Sequence, residues 1–297
     1  VLVLVLGFPG VEHATAQSDA PSRTTMEQLY DRTDFLDLEA LERSFNLHVA
    51  FLRKQPQPDA ELYVRTSQMG ILLWNTTFDS QPRIRYAKLG HQAAKLALQK
   101  DPQDALANLF SPVALLMFTF IKGPLNTLHH LGQVRDEAKR VAERFPDVIR
   151  GSAFTLLGSL YMEAPVFPVS FGDRTLSKQF LRKAVDYEQN STSQLMMARL
   201  LLRQGQQAQA KQYLERTLKI PPIEAPRTVT EKNLQFWWYV DQIRALVVKR
   251  ALAAGTDPGK IDELFVSPPA IRQTDDLRET LRHVRAAGNG EPQTRIN

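Results

Sequence analysis

Residues 150–222 constrain this chain more than any other stretch, because small and large side chains recur there at a spacing that suits nested helices. Phe154, Leu157, Gly158 and Tyr161 fall at i, i+3, i+4 and i+7 and form one stripe of a helix. A glycine inside such a stripe costs about 1 kcal/mol against alanine, which predicts that another helix passes close at that point. The next unit repeats the scheme: Ala198 and Leu201 on a first helix, Gly205 at the turn, Ala210, Leu214 and Thr217 on a second helix, and Pro222 at its end. Residues 176–190 supply the second helix of the earlier unit, with Phe180, Leu181 and Ala184 facing inward. Between them, residues 163–173 hold Pro165 and Pro168, which block a helix. Gly172 and Asp173 then read as a turn into a helix N-cap. One hairpin therefore carries an ordered loop insertion, and the period of about 34 residues is that of stacked helix–turn–helix units.

The same pattern runs upstream. Residues 60–74 and 85–100 form a pair whose second helix carries Ala87, Ala93, Ala94 and Ala97 and ends at Asp101-Pro102. Residues 104–121 and 125–145 form another, closed by Pro146. The joins at 75–84, which contains Pro82, and around Gly123-Pro124 read as lengthened loops, like the one at 163–173. Two further helices are expected at 25–30 and 37–54, before a break at 55–59. Residues 231–254 read as one long helix, 261–265 and 274–286 as short ones, and 288–297 as a disordered tail. The expectation is an all-α fold, an α–α superhelix in which no unit can bury its apolar face alone and neighbours must stack. The chain divides into a signal remnant and linker at 1–23, the repeat domain at 24–254 and a C-terminal extension at 255–297.

Residues 1–8 are an apolar run, broken by Pro9-Gly10 and followed by Ala14-Thr15-Ala16. This order matches the h-region and small-residue cleavage site of a secretory signal, and the run is shorter than the roughly 20 residues that span a bilayer. The expected location is periplasmic or otherwise exported. The chain has no cysteine, so its stability comes from packing without disulfides. A hydrophobic content of 43% is enough for that core. The net charge of +5 is spread along the helices and not gathered into a basic footprint, so no nucleic-acid partner is expected.

Chemistry-bearing motifs are sparse. His129 and His130 are adjacent and point to different helix faces, His48, His91 and His283 are isolated, and a metal site needs three or four converging ligands. Neither a glycine-rich phosphate loop nor a G-x-S-x-G elbow occurs, so no cofactor, metal or catalytic residue is assigned. Residues 106–121, the most apolar internal stretch, read as a buried helix or one lining an apolar pocket. The run Phe236-Trp237-Trp238-Tyr239 places aromatics all round a helix, either covering the last repeat or offering a contact surface. The inserted loop adds Phe167 and Phe171, which either fold back or line a groove. Trp237, Trp238, Tyr239, Phe167 and Phe171 are thus the candidate binding residues. Asn75-Thr-Thr77 and Asn190-Ser-Thr192 match glycosylation acceptors.

With large, large, small, aromatic on the first helix, small, large, small on the second, and a closing proline, the units resemble tetratricopeptide repeats. Within that class, Gly151-Ser-Ala-Phe154, Leu157-Gly158, Pro165, Phe171-Gly-Asp173 and Phe180-Leu-Arg-Lys-Ala184 are similar to the periplasmic T component of tripartite ATP-independent periplasmic (TRAP) transporters. Ser152 and Val185 depart from that pattern, which has alanine and leucine there. The resemblance implies a soluble, non-enzymatic helical protein that associates with a periplasmic substrate-binding protein, in some members as a homo-oligomer with an apolar central channel. The leading expectation is an exported binding module for a protein partner or apolar ligand, acting as an accessory of solute transport. The alternatives are an envelope structural or regulatory scaffold without a transport role and an enzyme with its site on the long loops.

Overall fold

The computed structural model describes residues 22–55, 58–266 and 274–287; the apolar run at 1–8 and the tail at 288–297 lie outside the described residues. Helices α1 (Arg23–Arg32) and α2 (Leu38–Lys54) precede four hairpins. These are α3 (Ala60–Thr76) with α4 (Ser80–Lys100), α5 (Ala105–Phe120) with α6 (Pro124–Arg144), α7 (Ser152–Glu163) with α8 (Arg174–Val185), and α9 (Ser191–Arg203) with α10 (Gln207–Lys219). The long α11 (Val229–Ala253), α12 (Pro258–Val266) and α13 (Leu277–Ala286) follow. The helix starts have a common chemical cause. Asp37, Asp59, Asp104, Asp173 and Asn190 each accept an N–H of the first turn, and Thr228 and Glu231 close a reciprocal capping box on α11.

Two of the three joins expected to be long are tight turns. Only residues 77–79 separate α3 from α4, because Pro82 falls in the first turn of α4. A proline there sacrifices no intrahelical bond, since the first-turn N–H groups have no partner in the helix. Residues 121–123 separate α5 from α6, with Pro124 opening α6 behind Gly123 at φ +95°. The join at 164–173 alone is an inserted loop.

The hairpins stack in series. Each second helix packs on the first helix of the next unit, α4 on α5, α6 on α7 and α8 on α9, while α3, α5, α7 and α9 touch in a row along one face. Small residues set the spacing. A Cβ on Gly158 would lie 2.5 Å from Leu181 Cγ, and Ser177 Oγ donates to the Gly158 carbonyl at 2.7 Å, so α8 crosses α7 at the glycine. Gly70 and Gly90 make the equivalent crossing of α3 and α4, where a Cβ on Gly70 would lie 3.0 Å from the Gly90 Cα.

α11 does not extend the row. It packs against α3, α9, α10, α12 and α13, and so lies across the face formed by the first helices. Its residues enter all three main apolar clusters: Leu234 in one, Phe236, Trp238, Val240 and Ile243 in the second, Ala245, Val248 and Leu252 in the third. The segment before α2 also meets the start of α13. Leu38 N donates to Asp275 O at 2.8 Å, Leu277 N to Leu36 O at 2.9 Å, and Arg278 grips Asp34 through two bonds of 2.8 and 2.9 Å. Among the described residues no helix is long and apolar enough to cross a membrane.

Two outcomes follow from this packing. Gly158→Ala should lower stability by about 1–3 kcal/mol in urea unfolding, although alanine is the better helix former, because Leu181 must move. His48 lies fully buried in α2 with Nδ1 2.8 Å from the Ser44 carbonyl. Burial pushes its imidazole down to about 4, with Arg65 adding to the shift and the Ser44 carbonyl opposing it. The unfolded chain, with its histidine near 6.5, therefore binds the proton first as pH falls, so stability declines from about pH 6.5 down to pH 4. His48→Asn should flatten that part of the stability–pH curve.

Candidate ligand groove on the inner face

α11 meets the row through polar groups that serve as caps. Lys232 Nζ donates to the carbonyls of Tyr30, Asp31 and Thr33 at 3.1, 3.1 and 3.0 Å, closing the C-terminus of α1. Trp238 Nε1 donates to Ile220 O at 2.7 Å and Gln242 Nε2 to Thr217 O at 2.7 Å, closing α10. Asp241 Oδ2 accepts from Ser191 Oγ at 2.8 Å and Thr192 Oγ1 at 2.7 Å in the first turn of α9, and Arg244 lies 3.6 Å from its other oxygen. Burial raises the Asp241 carboxyl, while Arg244 and the two hydroxyls oppose the rise.

Where α11 leaves the row uncovered, two joined compartments remain. The first, of about 300 Å³, is walled by α5 through Leu109, Phe110, Val113, Leu116, Met117 and Phe120, and by Ile71, Leu156 and Trp237 from the neighbouring helices. The helix expected to be buried or to line an apolar pocket does both. The second, of about 210 Å³, shares Trp74, Asn75, Ser159, Thr192 and Trp237 with the first. It adds three guanidinium groups, those of Arg83, Arg199 and Arg244. Arg83 lies 4.0 Å above the Trp74 ring and Arg244 5.7 Å from the Trp237 ring. Arg199 is neutralised: it bonds Asp262 at 2.9 and 3.0 Å and Glu163 at 2.6 Å.

This geometry divides the five residues singled out in the sequence. Trp237 lines both compartments. Trp238 is buried at 6% exposure with its N–H committed to α10, so it is a core residue and offers no contact surface. Tyr239 stacks edge-on against Trp238, centroids 4.8 Å apart, in a surface crevice beside Arg278 and Arg282, away from the groove. Phe171 folds back on Tyr161 at 5.3 Å and beneath Arg135 at 4.6 Å. Phe167 is 85% exposed at the loop tip, flanked by exposed Val166 and Val169. The two acceptor-like asparagines hold the backbone: Asn190 caps α9 and donates to Arg150 O at 2.7 Å, and Asn75 donates to Ile71 O at 2.8 Å. Among the described residues no three metal-ligating side chains converge.

The row of hairpins has a solved counterpart. The chain is similar to the crystal structure of a thermophilic TPR protein from Thermus thermophilus, with a TM-score of 0.50 and 15% identity, over 72% of this chain and 98% of that one. The fold is a tetratricopeptide-like α–α superhelix. No family model matches the chain, and no curated protein matches it. In this tetratricopeptide-like superhelix, Trp74, Arg83 and Arg244 are the groove residues that sequence reasoning missed. The signal for two of them was present, because Trp74 and Arg83 lie nine positions apart across a turn only three residues long.

The two adjacent tryptophans should respond differently to truncation. Trp238→Ala should lower stability by about 3–5 kcal/mol, a full core deletion, and Trp237→Ala by less than half as much. Urea midpoints compared at constant m-value test this ordering, and the reverse order would contradict it.

Proposed function

We propose that the protein is a non-enzymatic, exported binding module that holds a ligand with an apolar body in its inner-face groove and engages a protein partner. The partner that fits is the substrate-binding protein of a solute transporter of the TRAP type. The observation that carries the reading is the apolar compartment itself. A tetratricopeptide-like row normally leaves its inner face open along its length. Here α11 occupies much of that face and the remainder is a chamber of about 300 Å³, at the lower end of the range for small-molecule sites. A long peptide in extended form has little room in it, whereas a compact apolar molecule does. The inserted loop supplies the partner surface in this proposal. It begins at Glu163, whose carboxylate holds Arg199 of the groove wall, and it carries Val166, Phe167 and Val169 outward at 67, 85 and 62% exposure. Exposed apolar clusters of this kind mark contact surfaces.

The test uses the immobilised chain and a periplasmic extract. The wild-type chain should retain a substrate-binding protein of the transporter class. Phe167→Asp combined with Val169→Asp should lose that protein while shifting stability by no more than about 0.5 kcal/mol, since both side chains are solvent-facing. Retention of the partner by the double variant would remove the loop from the interface. Failure of the wild-type chain to retain it would overturn the transport reading.

A further inference from the structure

The two compartments differ in chemistry, and the difference specifies a ligand class. The α5 side is a hydrocarbon wall. On the other side, three residues each bury a nitrogen that has no hydrogen-bond partner among the described residues: Trp74 Nε1, Arg83 Nε and Arg244 Nε. Unpaired buried N–H donors are costly, and they mark a wall whose guanidinium groups have little compensation from within the fold. Arg244 is only 5% exposed, and among the described residues its other nitrogens reach Asp241 at 3.6 Å and the Val266 carbonyl at 3.2 Å. Arg83 is the uncompensated charge. Among the described residues its guanidinium has no ion pair or hydrogen bond, and its neighbour is the face of Trp74. Arg199, by contrast, is already balanced by Glu163 and Asp262. Burial lowers both the Arg83 and the Arg244 guanidinium from their ordinary values, with Asp241 opposing the shift at Arg244, so both would gain from an anion beside them.

We infer that the groove binds a single-chain anionic amphiphile, its carboxylate or phosphate head between Arg83 and Arg244 and its hydrocarbon tail along α5. This inference rests on the ligand-holding reading above and adds the polarity and orientation of the ligand. An oxyanion at the head position would balance the Arg83 charge and lie beside Arg244, and Trp74 and Trp237 would lie at the junction of head and tail. The tail would meet Leu109, Val113 and Leu116. A fully polar solute would leave that wall unfilled, and a neutral hydrocarbon would leave the Arg83 charge without a counter-ion.

Titration calorimetry with decanoate, decyl phosphate and decanol separates the contributions. Decanoate or decyl phosphate should bind about tenfold or more tighter than decanol, the effect of at least one charge-assisted bond. The stronger of the two anions identifies the head as carboxylate or phosphate. Arg83→Gln should remove most of that preference, weakening both anions by a larger factor than decanol, and Arg83→Lys should restore part of it. Val113→Trp, which fills the tail compartment, should weaken all three; if that variant unfolds, Leu116→Phe serves in its place. Decanol binding as tightly as decanoate would overturn the anionic head and leave an apolar ligand standing, as would anion affinity unchanged in Arg83→Gln. Absence of binding by all three would overturn both the amphiphile and the ligand-holding reading, while partner capture through the loop would be read independently.

Discussion

Everything in this structure leans on a helix that is covered nearly all round. α11 spans 25 residues, about 37 Å, and it carries Lys232, Asn233, Asp241, Gln242 and Arg244 buried beside Phe236, Val240, Ile243 and Val248. A helix buried in this way needs either a wholly apolar surface or partners for its polar groups. The repeat row provides the partners, because every hairpin ends in backbone groups that its own helices cannot satisfy. Lys232 takes three carbonyls at the end of α1, Gln242 and Trp238 take two at the end of α10, and Asp241 takes hydroxyls in the first turn of α9. Lys232, Trp238, Asp241 and Gln242 of α11 thus each meet a helix end that lacks partners of its own, and the row wraps round the helix that closes it.

That closure changes what a stack of helical hairpins can do. An open solenoid exposes a long inner surface suited to an extended partner. Here the inner face is divided, one part sealed by α11 and one part left as a chamber whose walls come from α3, α5, α7, α9 and α11. The floor of the chamber is apolar because α5 is the most hydrophobic of the row helices, and its rim is cationic because Arg83 arrives from α4 and Arg244 from α11. The inserted loop, which carries the exposed aromatic, springs from the end of α7, so the outward contact surface and the groove wall share a root at Glu163 and Arg199.

The hairpins are legible in the sequence because their contacts are local. Gly158 predicts a close helix, and Leu181 arrives there from only 23 positions away. The course of α11 is not legible, since it depends on how far the row curves, which sums small rotations over four units. The same limit explains the tryptophans. Trp237 and Trp238 are chemically identical and about 100° apart round one helix, and only the long-range position of α10 decides which is committed and which faces the groove. Pro82 misled for a local reason: read as a loop residue, it pushed Arg83 into a linker, whereas in the first turn of α4 it places Arg83 over Trp74.

The use of polar groups to dock α11, where apolar ones would bury more easily, has a consequence for the groove. A helix held by hydrocarbon alone can settle one turn higher or lower at small cost, because each turn presents a similar surface. A slip of one turn moves every side chain about 5.4 Å along the axis. Lys232, Trp238, Asp241 and Gln242 sit at different heights along α11, and each has its own partners on α1 or on the row, so a slip would unpair all four at once. Buried polar groups are known to fix register in helical assemblies even where they add little net stability. In this chain the register is what brings Trp237 to the junction of the two compartments and Arg244 to the rim. The polar anchors of α11 thus hold the fold closed and, by the same bonds, set the width and chemistry of the groove.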